Sequence, residues 1–194
     1  IKINPNHSGS YNNLGEILFL EKKFDEARTS FKKAIAIRPD FAEAYYNLGI
    51  FFQNKAKLRS AILNFKKAIQ LKSDYAEAYY NLGSIFNDLG NHLESEKSYN
   101  KAITLKPDFA DAYNSLGIAY QDQGRIEDAI EAFTKALSIQ HDLLDAWNNI
   151  YVPLQAIKTK ISLEKALDLY GPKNSGSVAT KIAYGILQYR LHCG

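Results

Sequence analysis

The chain has 194 residues with a formal net charge of +3, 46% hydrophobic residues and 12% aromatic residues, which excludes a disordered tail or a collagen-like rod. Its single cysteine, Cys193, excludes an internal disulfide and a cysteine-based metal site, and no apolar segment reaches the ~20 residues that span a membrane. We therefore expect a cytoplasmic location and no cofactor, metal or membrane contact. Because the sequence begins with isoleucine and contains no methionine, we also expect a fragment of a longer protein.

The main feature along the chain is a repeat with a step of 34 residues. An aromatic anchor, followed three positions later by Leu-Gly, occurs at Tyr11, Tyr45, Tyr79 and Tyr113, and Trp147 continues the series. A small residue keeps the same step at Ala27, Ala61, Ser95 and Ala129, and a second aromatic does so at Phe31, Phe65, Tyr99 and Phe133. A fixed step of this length indicates an array of stacked repeats.

In chain order, residues 1–7 match the tail of a preceding repeat. Four complete repeats follow at residues 8–41, 42–75, 76–109 and 110–143. Residues 144–171 form a degenerate repeat, and residues 172–194 form a loop and a final helix from about Val178 that covers the end of the stack.

Each complete repeat is predicted to be a pair of helices. In the second repeat, Tyr45, Leu48 and Phe52 lie on one helical face, and Ala61 and Phe65 begin a second apolar face after a short turn. Asp40, Asp74 and Asp108 precede first helices, where their carboxylates are expected to cap free amides. Glycine within a helix costs about 1 kcal/mol relative to alanine. We attribute Gly49 and Gly83 to close helix approach, with Ala61 providing room on the second helix.

The pattern weakens in the fifth repeat. Tyr151 stands at the glycine position, and Leu163 and Tyr170 stand at the small positions. Pro153 is expected to kink its helix, and Gly171-Pro172 to end the next one.

Over residues 8–141 these columns resemble the tetratricopeptide repeat family, and the repeats are similar to those of O-linked N-acetylglucosamine transferases. The resemblance implies an all-α, right-handed superhelical solenoid of antiparallel helix pairs with a C-terminal capping helix. Stacking with a small rotation places the first helices on the concave side, which is the expected binding groove.

The candidate groove residues are those opposite the buried stripe of each first helix, and amides and tyrosines dominate them. They are Asn12, Asn13, Glu16, Tyr46, Asn47, Ile50, Gln53, Asn54, Tyr80, Asn81, Ser84, Asn87, Asp88, Asn114, Ser115, Ile118, Gln121, Asp122, Asn148 and Asn149.

Within this set, four asparagines form a row that Ser115 interrupts: Asn13, Asn47, Asn81 and Asn149. An amide both donates and accepts hydrogen bonds, so such a row can pair with the backbone of an extended peptide whatever its sequence. The row resembles the asparagine ladder of O-linked N-acetylglucosamine transferases. The alternative is that these amides bond neighbouring helices, and Tyr46 and Tyr80 likewise either contact a ligand or pack between repeats.

Acidic side chains recur on the first turn of the first helices, at Glu43, Glu77, Asp111 and Asp145, where the helix dipole favours them. Together with Glu16, Asp88 and Asp122 they predict a mildly acidic groove that prefers neutral or basic peptides. Chaperone-binding members of the family hold a C-terminal carboxylate with cationic side chains. The matching positions here are Asn12, Glu16, Asn47, Glu77 and Asn81, so we expect no such clamp.

Other functions have less support in the sequence. The histidines are scattered near helix ends, and no nucleophile or phosphate loop accompanies them, so we expect no catalysis. The lysine pairs Lys32-Lys33 and Lys66-Lys67 fit a solvated surface better than a nucleic-acid site. The sequence therefore predicts a protein- or peptide-binding scaffold. The alternatives are a substrate-presenting arm of a larger glycosyl- or sulfotransferase, an RNA-binding repeat, and self-association through residues 178–194.

Overall fold

The structure is a computed structural model that describes residues 7–140 and 142–156. Over these residues it contains nine helices and no strand, in agreement with the predicted all-α fold of helix pairs. The first helices of the repeats are α1 (Ser8–Leu20), α3 (Ala42–Asn54), α5 (Ala76–Asp88), α7 (Ala110–Asp122) and α9 (Leu144–Ala156). The second helices are α2 (Phe24–Ile37), α4 (Leu58–Leu71), α6 (His92–Leu105) and α8 (Ile126–Ile139).

The chain divides into two compact units, Ile1–Leu89 and Gly90–Gly194. In the first unit, α1 pairs with α2 and α3 pairs with α4, while α2 also packs on α3 and α4 on α5. In the second unit, α7 pairs with α8, α6 packs on α7, and α8 packs on α9. In these contacts, each second helix packs against its own first helix, against the first helix of the next repeat, or against both.

Close approach within a helix pair depends on one glycine and one phenylalanine. A Cβ atom built at Gly49 would lie 2.6 Å from Cε1 of Phe65, and Gly15 and Gly117 face Phe31 and Phe133 in the same way. We predicted close approach of the two helices at Gly49, and we attributed the space for it to the small side chain of Ala61. The structure shows that the Phe65 ring occupies the space beside the glycine, and both Phe65 and Ala61 are fully buried.

The turn between the two helices of a repeat has one left-handed residue. Lys22, Ala56, Gly90 and Gly124 occupy this position with φ of 61°, 53°, 70° and 72°. In the first repeat the amide of Lys23 donates to the carbonyl of Leu18 at 2.8 Å, and the amide of Lys22 donates to Phe19 at 3.0 Å. These two bonds define a Schellman motif, which satisfies carbonyl groups at the helix C-terminus.

The start of the first helices differs from the prediction. The residues at the N-cap are Phe41, Tyr75 and Phe109, and none of them forms a side-chain capping bond, so the predicted aspartate caps were wrong. The aspartates lie one residue earlier, and the backbone carbonyls of Asp74 and Asp108 accept the amides of Ala76 and Ala110 at 3.0 Å.

A cation covers each of these aromatic caps. Arg38 lies 3.4 Å from the ring centroid of Phe41, and Lys72 and Lys106 lie 4.8 and 4.6 Å from Tyr75 and Phe109. We did not predict this contact from the sequence, although a basic residue stands three positions before each aromatic cap and recurs every 34 residues.

The fifth repeat is described through α9. Pro153 lies inside this helix and is buried, so the helix continues past the proline, and the kink expected there stays a prediction. Its ring nitrogen carries no hydrogen to donate to the carbonyl of Asn149. Several predicted features lie outside the described residues: residues 1–6 of the predicted tail, the changes at Leu163 and Tyr170, the Gly171-Pro172 stop and the helix from Val178.

Candidate functional site

The predicted asparagine row lies on the first helices, and its members differ in exposure. Asn13 on α1 is exposed, and Asn47 on α3, Asn81 on α5 and Asn149 on α9 are partly exposed. Ser115 interrupts the row on α7 and is also partly exposed. The row is therefore accessible within each unit, at α1, α3 and α5 in the first and at α7 and α9 in the second.

A three-residue hydrogen-bond network joins the first two repeats. The Asn47 amide nitrogen donates to Asn12 Oδ1 at 3.0 Å and to Glu16 Oε1 at 2.6 Å. Asn12 Nδ2 donates to the same Glu16 oxygen at 2.8 Å. An ionised carboxylate only accepts, so the Asn47 nitrogen, and not its oxygen, must face Glu16.

The same kind of bond recurs in two further places. Asn81 Nδ2 donates to the hydroxyl of Tyr46 at 3.1 Å, and Asn149 Nδ2 donates to Asn114 Oδ1 at 3.1 Å. Each acceptor lies one residue after the aromatic anchor of the preceding repeat. The amide nitrogens of Asn47, Asn81 and Asn149 thus link neighbouring first helices. For these nitrogens, the structure supports the alternative that the amides bond neighbouring helices.

The acceptor half of these amides is available. Within the described part of the chain, Oδ1 of Asn47 and Oδ1 of Asn81 take part in no hydrogen bond. Neither the nitrogen nor the oxygen of the Asn13 side-chain amide is hydrogen-bonded there. These oxygens can accept hydrogen bonds from the backbone amides of a ligand.

Tyr46 is a packing residue as well as a candidate contact. Its ring centroid lies 4.7 Å from that of Tyr75 and 5.7 Å from that of Phe65, in a core cluster of the first unit. Burial raises the pKa of Tyr46, against the lowering effect of the hydrogen bond from Asn81. The observed contacts therefore favour the packing alternative for this tyrosine.

Carboxylates surround this tyrosine pair. Burial is the main cause that raises the pKa of Tyr75, and Tyr46, Glu43, Glu77 and Glu16 raise it further through their charge. Glu43 and Glu77 lie on the first turns of α3 and α5. Three carboxylates therefore lie near this tyrosine pair, and the mildly acidic groove stays a prediction.

The other predicted residues fall into three groups by exposure. Asn12 and Asn114 are buried and act between repeats, as described above. Asn54, Asp88, Asp122 and Asn148 are exposed, and the Asn54 amide donates to the carbonyl of Ile50 in its own helix. The remaining residues are partly exposed: Ile50, Gln53, Tyr80, Ser84, Asn87, Ile118 and Gln121.

Two further properties concern the described residues alone. Their His, Cys, Asp and Glu side chains form no group of three or more that could hold a metal ion. None of their helices combines the length and the apolar character needed to cross a bilayer.

Comparison with protein families gives matches over most of the described chain. A TPR repeat family model matches residues 15–55 and 57–90, and a tetratricopeptide repeat family model matches residues 74–142. A comparison with curated proteins gave no significant match. The similarity to O-linked N-acetylglucosamine transferase arrays is not tested by these matches and stays a prediction.

Solved structures with the same fold include two of MamA. One is 34% identical, with a TM-score of 0.66, and the match covers 71% of this chain and 81% of that chain. The other is 26% identical, with a TM-score of 0.71, and covers 96% and 94%. YrrB, a TPR protein with an unusual peptide-binding site, is 20% identical with a TM-score of 0.67 over 96% and 93%, a likeness that shows the fold alone.

Proposed function

The chain belongs to the tetratricopeptide repeat family, and from this premise we propose that it is a non-catalytic scaffold that binds an extended peptide along its first helices. The observation that supports this most directly is the row of accessible amide oxygens on α1, α3 and α5. The role of interaction scaffold agrees with the family and with neighbours such as MamA. The same fold carries a peptide-binding site in YrrB.

The spacing of the row suits an extended backbone. Packed helices lie about 8–10 Å apart. One turn of a polyproline II helix contains three residues with a rise of about 3.1 Å each, so it advances about 9 Å and brings every third residue to the same side. One backbone amide in every three residues of a bound peptide would therefore reach one row oxygen. Such contacts hold the peptide backbone and leave the choice of side chains to the surrounding surface.

We infer that the preferred peptide is neutral or basic. Glu16, Glu43 and Glu77 contribute negative potential near the Tyr46–Tyr75 pair, and the row itself carries no cation. A C-terminal carboxylate would meet Glu16 and Glu77 where a clamp needs positive charge, so chaperone-type tails are not proposed as ligands. The transferase-arm and RNA-binding alternatives, like the cytoplasmic location, stay predictions, because no observation in the described residues favours them.

The test is a binding measurement with a variant that does not disturb the fold. Asn13→Ala removes an exposed amide that bonds nothing in the described chain, so its thermal unfolding should match that of the parent protein. Selection from a random peptide library supplies a ligand, and fluorescence anisotropy then measures its affinity. We expect Asn13→Ala to weaken binding about 2–10-fold, as for the loss of one hydrogen bond.

A matched control and a modified ligand sharpen the result. Asn64→Ala removes an asparagine from the second helix α4, where its amide bonds the carbonyl of Ser60, and it should leave affinity unchanged. Peptides that are N-methylated at single positions should lose affinity at every third residue. If Asn13→Ala and all N-methylated peptides bind as well as their parents, the proposed site is wrong.

A further inference from the structure

An exposed leucine stands on a helix surface that carries positive charge. Leu63 on α4 has 68% of its surface exposed. Arg59 and Lys66 lie one helical turn to either side on the same face, and neither forms an ion pair with a described residue. From Lys55 to Lys72 the sequence contains no aspartate or glutamate. We call Arg59, Leu63 and Lys66 the Leu63 ridge.

A cavity that is lined by apolar and acidic side chains lies in the second unit. It has a volume of about 520 Å³ on the α7/α8 hairpin, and none of the predicted peptide-binding residues is among those that line it. Tyr113, Leu116, Tyr120 and Ala132 provide apolar surface. Asp128 and Glu131 line it from the first half of α8, and Lys135 follows one turn later. Glu131 is exposed and has no partner in the described chain.

We propose that this cavity receives the Leu63 ridge of a second copy of the chain. Leu63 would bury its side chain against Leu116 and Ala132, and the aliphatic parts of Arg59 and Lys66 would cover the tyrosine rings. The cationic groups would then approach Glu131, which has no partner in the described chain, whereas Asp128 is already paired with Arg125 at 2.7 Å. The fit joins an apolar ridge to an apolar cavity, and it joins the basic α4 segment to an α7/α8 hairpin that carries five acidic and two basic residues.

Charge selects Leu63 from the other exposed leucines of the described chain. Leu89 follows Asp88, Leu93 precedes Glu94, and Leu144 precedes Asp145. Leu20 precedes Glu21. Glu21 and Glu94 are paired with Lys23 and Lys97 at 2.7 and 2.9 Å, so the segments around Leu20 and Leu93 carry both signs of charge. Leu63 is therefore the one of these five exposed leucines that lies in a segment with basic residues and no acidic residue.

The two surfaces are different, so the contact is heterologous. In a complex of two copies, one copy still has a free cavity and the other still has a free Leu63 ridge. Further copies can therefore add until a ring closes or the protein concentration limits growth. A contact made by two or three helical turns buries little area, and interfaces below about 1,200 Å² are typically weak. Association should therefore appear at micromolar concentration or above.

Sedimentation velocity over about 1–500 μM tests the proposal, because weak interfaces dissociate within that range. The parent chain should become heavier as concentration rises, and Leu63→Asp should weaken association at least about tenfold, as for loss of a central contact. Leu93→Asp is the matched control, since Leu93 is 63% exposed on α6, and it should associate like the parent. A parent chain that stays monomeric, or equal effects of the two substitutions, would overturn the proposal.

Two further measurements separate this contact from other modes of association. Glu131→Arg should weaken association, and combining it with Lys66→Glu should restore it, because the charges have been exchanged. Mixing Leu63→Asp with Glu131→Arg should give a 1:1 complex that does not grow, since each variant has one intact surface. If the mixture stays monomeric, or the double variant stays as weak as the single ones, the ridge and the cavity are not partners.

Discussion

At the scale of single residues, the width of each helix pair depends on the space above one glycine. The phenylalanine ring lies so close to Gly15, Gly49 and Gly117 that a Cβ atom at any of them would meet ring carbons at 2.5–2.6 Å. Alanine is the better helix former by about 1 kcal/mol. Glycine is therefore the more stable residue at this position only if the close packing of the phenylalanine ring contributes more than the helix propensity that alanine would add.

We predict that Gly49→Ala lowers the free energy of unfolding by about 1–3 kcal/mol, because the added methyl group overpacks the site against Phe65. Urea unfolding measures the change. In a Phe65→Leu background the ring is absent, so the added methyl group should be less harmful or even stabilising. Equal losses in the two backgrounds would show that the ring does not exclude the methyl group.

The Asn47 network supplies a second residue-scale prediction, in which acidity is the variable. Asn47→Asp replaces the donor that faces Glu16 at 2.6 Å with a second carboxylate. Like charges raise the pKa of one carboxyl group above its ordinary value near 4 in the folded state. The folded state then binds the extra proton more readily, so the loss of stability should be largest above about pH 6 and should shrink as the pH falls.

Thermal unfolding at a series of pH values checks this prediction. Asn13→Asp is the control, because Asn13 is exposed in the same row and bonds nothing in the described chain. It should change the melting temperature little at any pH. A pH-independent difference between Asn47→Asp and the parent protein would mean that Glu16 does not interact with residue 47.

Tyr75 adds a prediction for alkaline conditions. Its pKa is raised, mainly by burial and further by Tyr46, Glu43 and Glu77, so the folded state retains a phenolic proton that the unfolded state loses above about pH 10. Stability should therefore fall as the pH rises through this range. Tyr75→Phe removes the titration, and its free energy of unfolding should fall less between pH 9 and 11. Parallel pH profiles for the two proteins would contradict this account.

At the scale of helices and turns, the repeats share one turn geometry but not one turn residue. The left-handed position is glycine in the third and fourth repeats, whereas it is Lys22 in the first and Ala56 in the second. A residue with a Cβ atom in this conformation is strained by roughly 1–2 kcal/mol, and glycine is not. The first two repeats therefore contain a local strain that the last two lack.

We expect Ala56→Gly to raise the free energy of unfolding by up to about 1 kcal/mol, because the relief of strain exceeds the extra entropy of glycine in the unfolded chain. Gly124→Ala is the reverse substitution at the equivalent turn and should lower stability by a similar amount. No heavy atom lies within 4 Å of a Cβ built at Gly124, so its effect reports on the backbone alone. Changes of the same sign in the two variants would exclude this explanation.

The same turn shows what the sequence could and could not predict. Helix pairs, their order and their buried columns follow from the spacing of Tyr, Leu-Gly, Ala and Phe, because burial requires those residue types at helical intervals. The turn conformation was missed because Lys22 and Ala56 carry no turn signal. The bonds of the asparagine row were also not predictable, since one acceptor is the side chain of Asn12 and another the hydroxyl of Tyr46.

At the scale of the whole molecule, stability in a repeat protein is approximately a sum of repeat terms and of interfaces between neighbouring repeats. Equivalent residues in different repeats should then contribute different amounts to the free energy of unfolding, because different neighbouring helices cover them. Ile17 on α1 is 48% exposed, whereas Ile85 at the same register of α5 is fully buried in a cluster with Phe65 and Ala68 of α4. No described helix precedes α1 to cover Ile17.

The last prediction compares these two isoleucines. Ile85→Ala removes buried methyl groups and should lower the free energy of unfolding by about 2–5 kcal/mol, whereas Ile17→Ala should change it by no more than about 0.5 kcal/mol. Amide hydrogen exchange gives an independent measure, since α1 lacks one interface and should exchange faster than α3. If the two substitutions destabilise the chain equally, the outer face of α1 is covered in solution, and the sum over neighbouring repeats must include a further interface on α1.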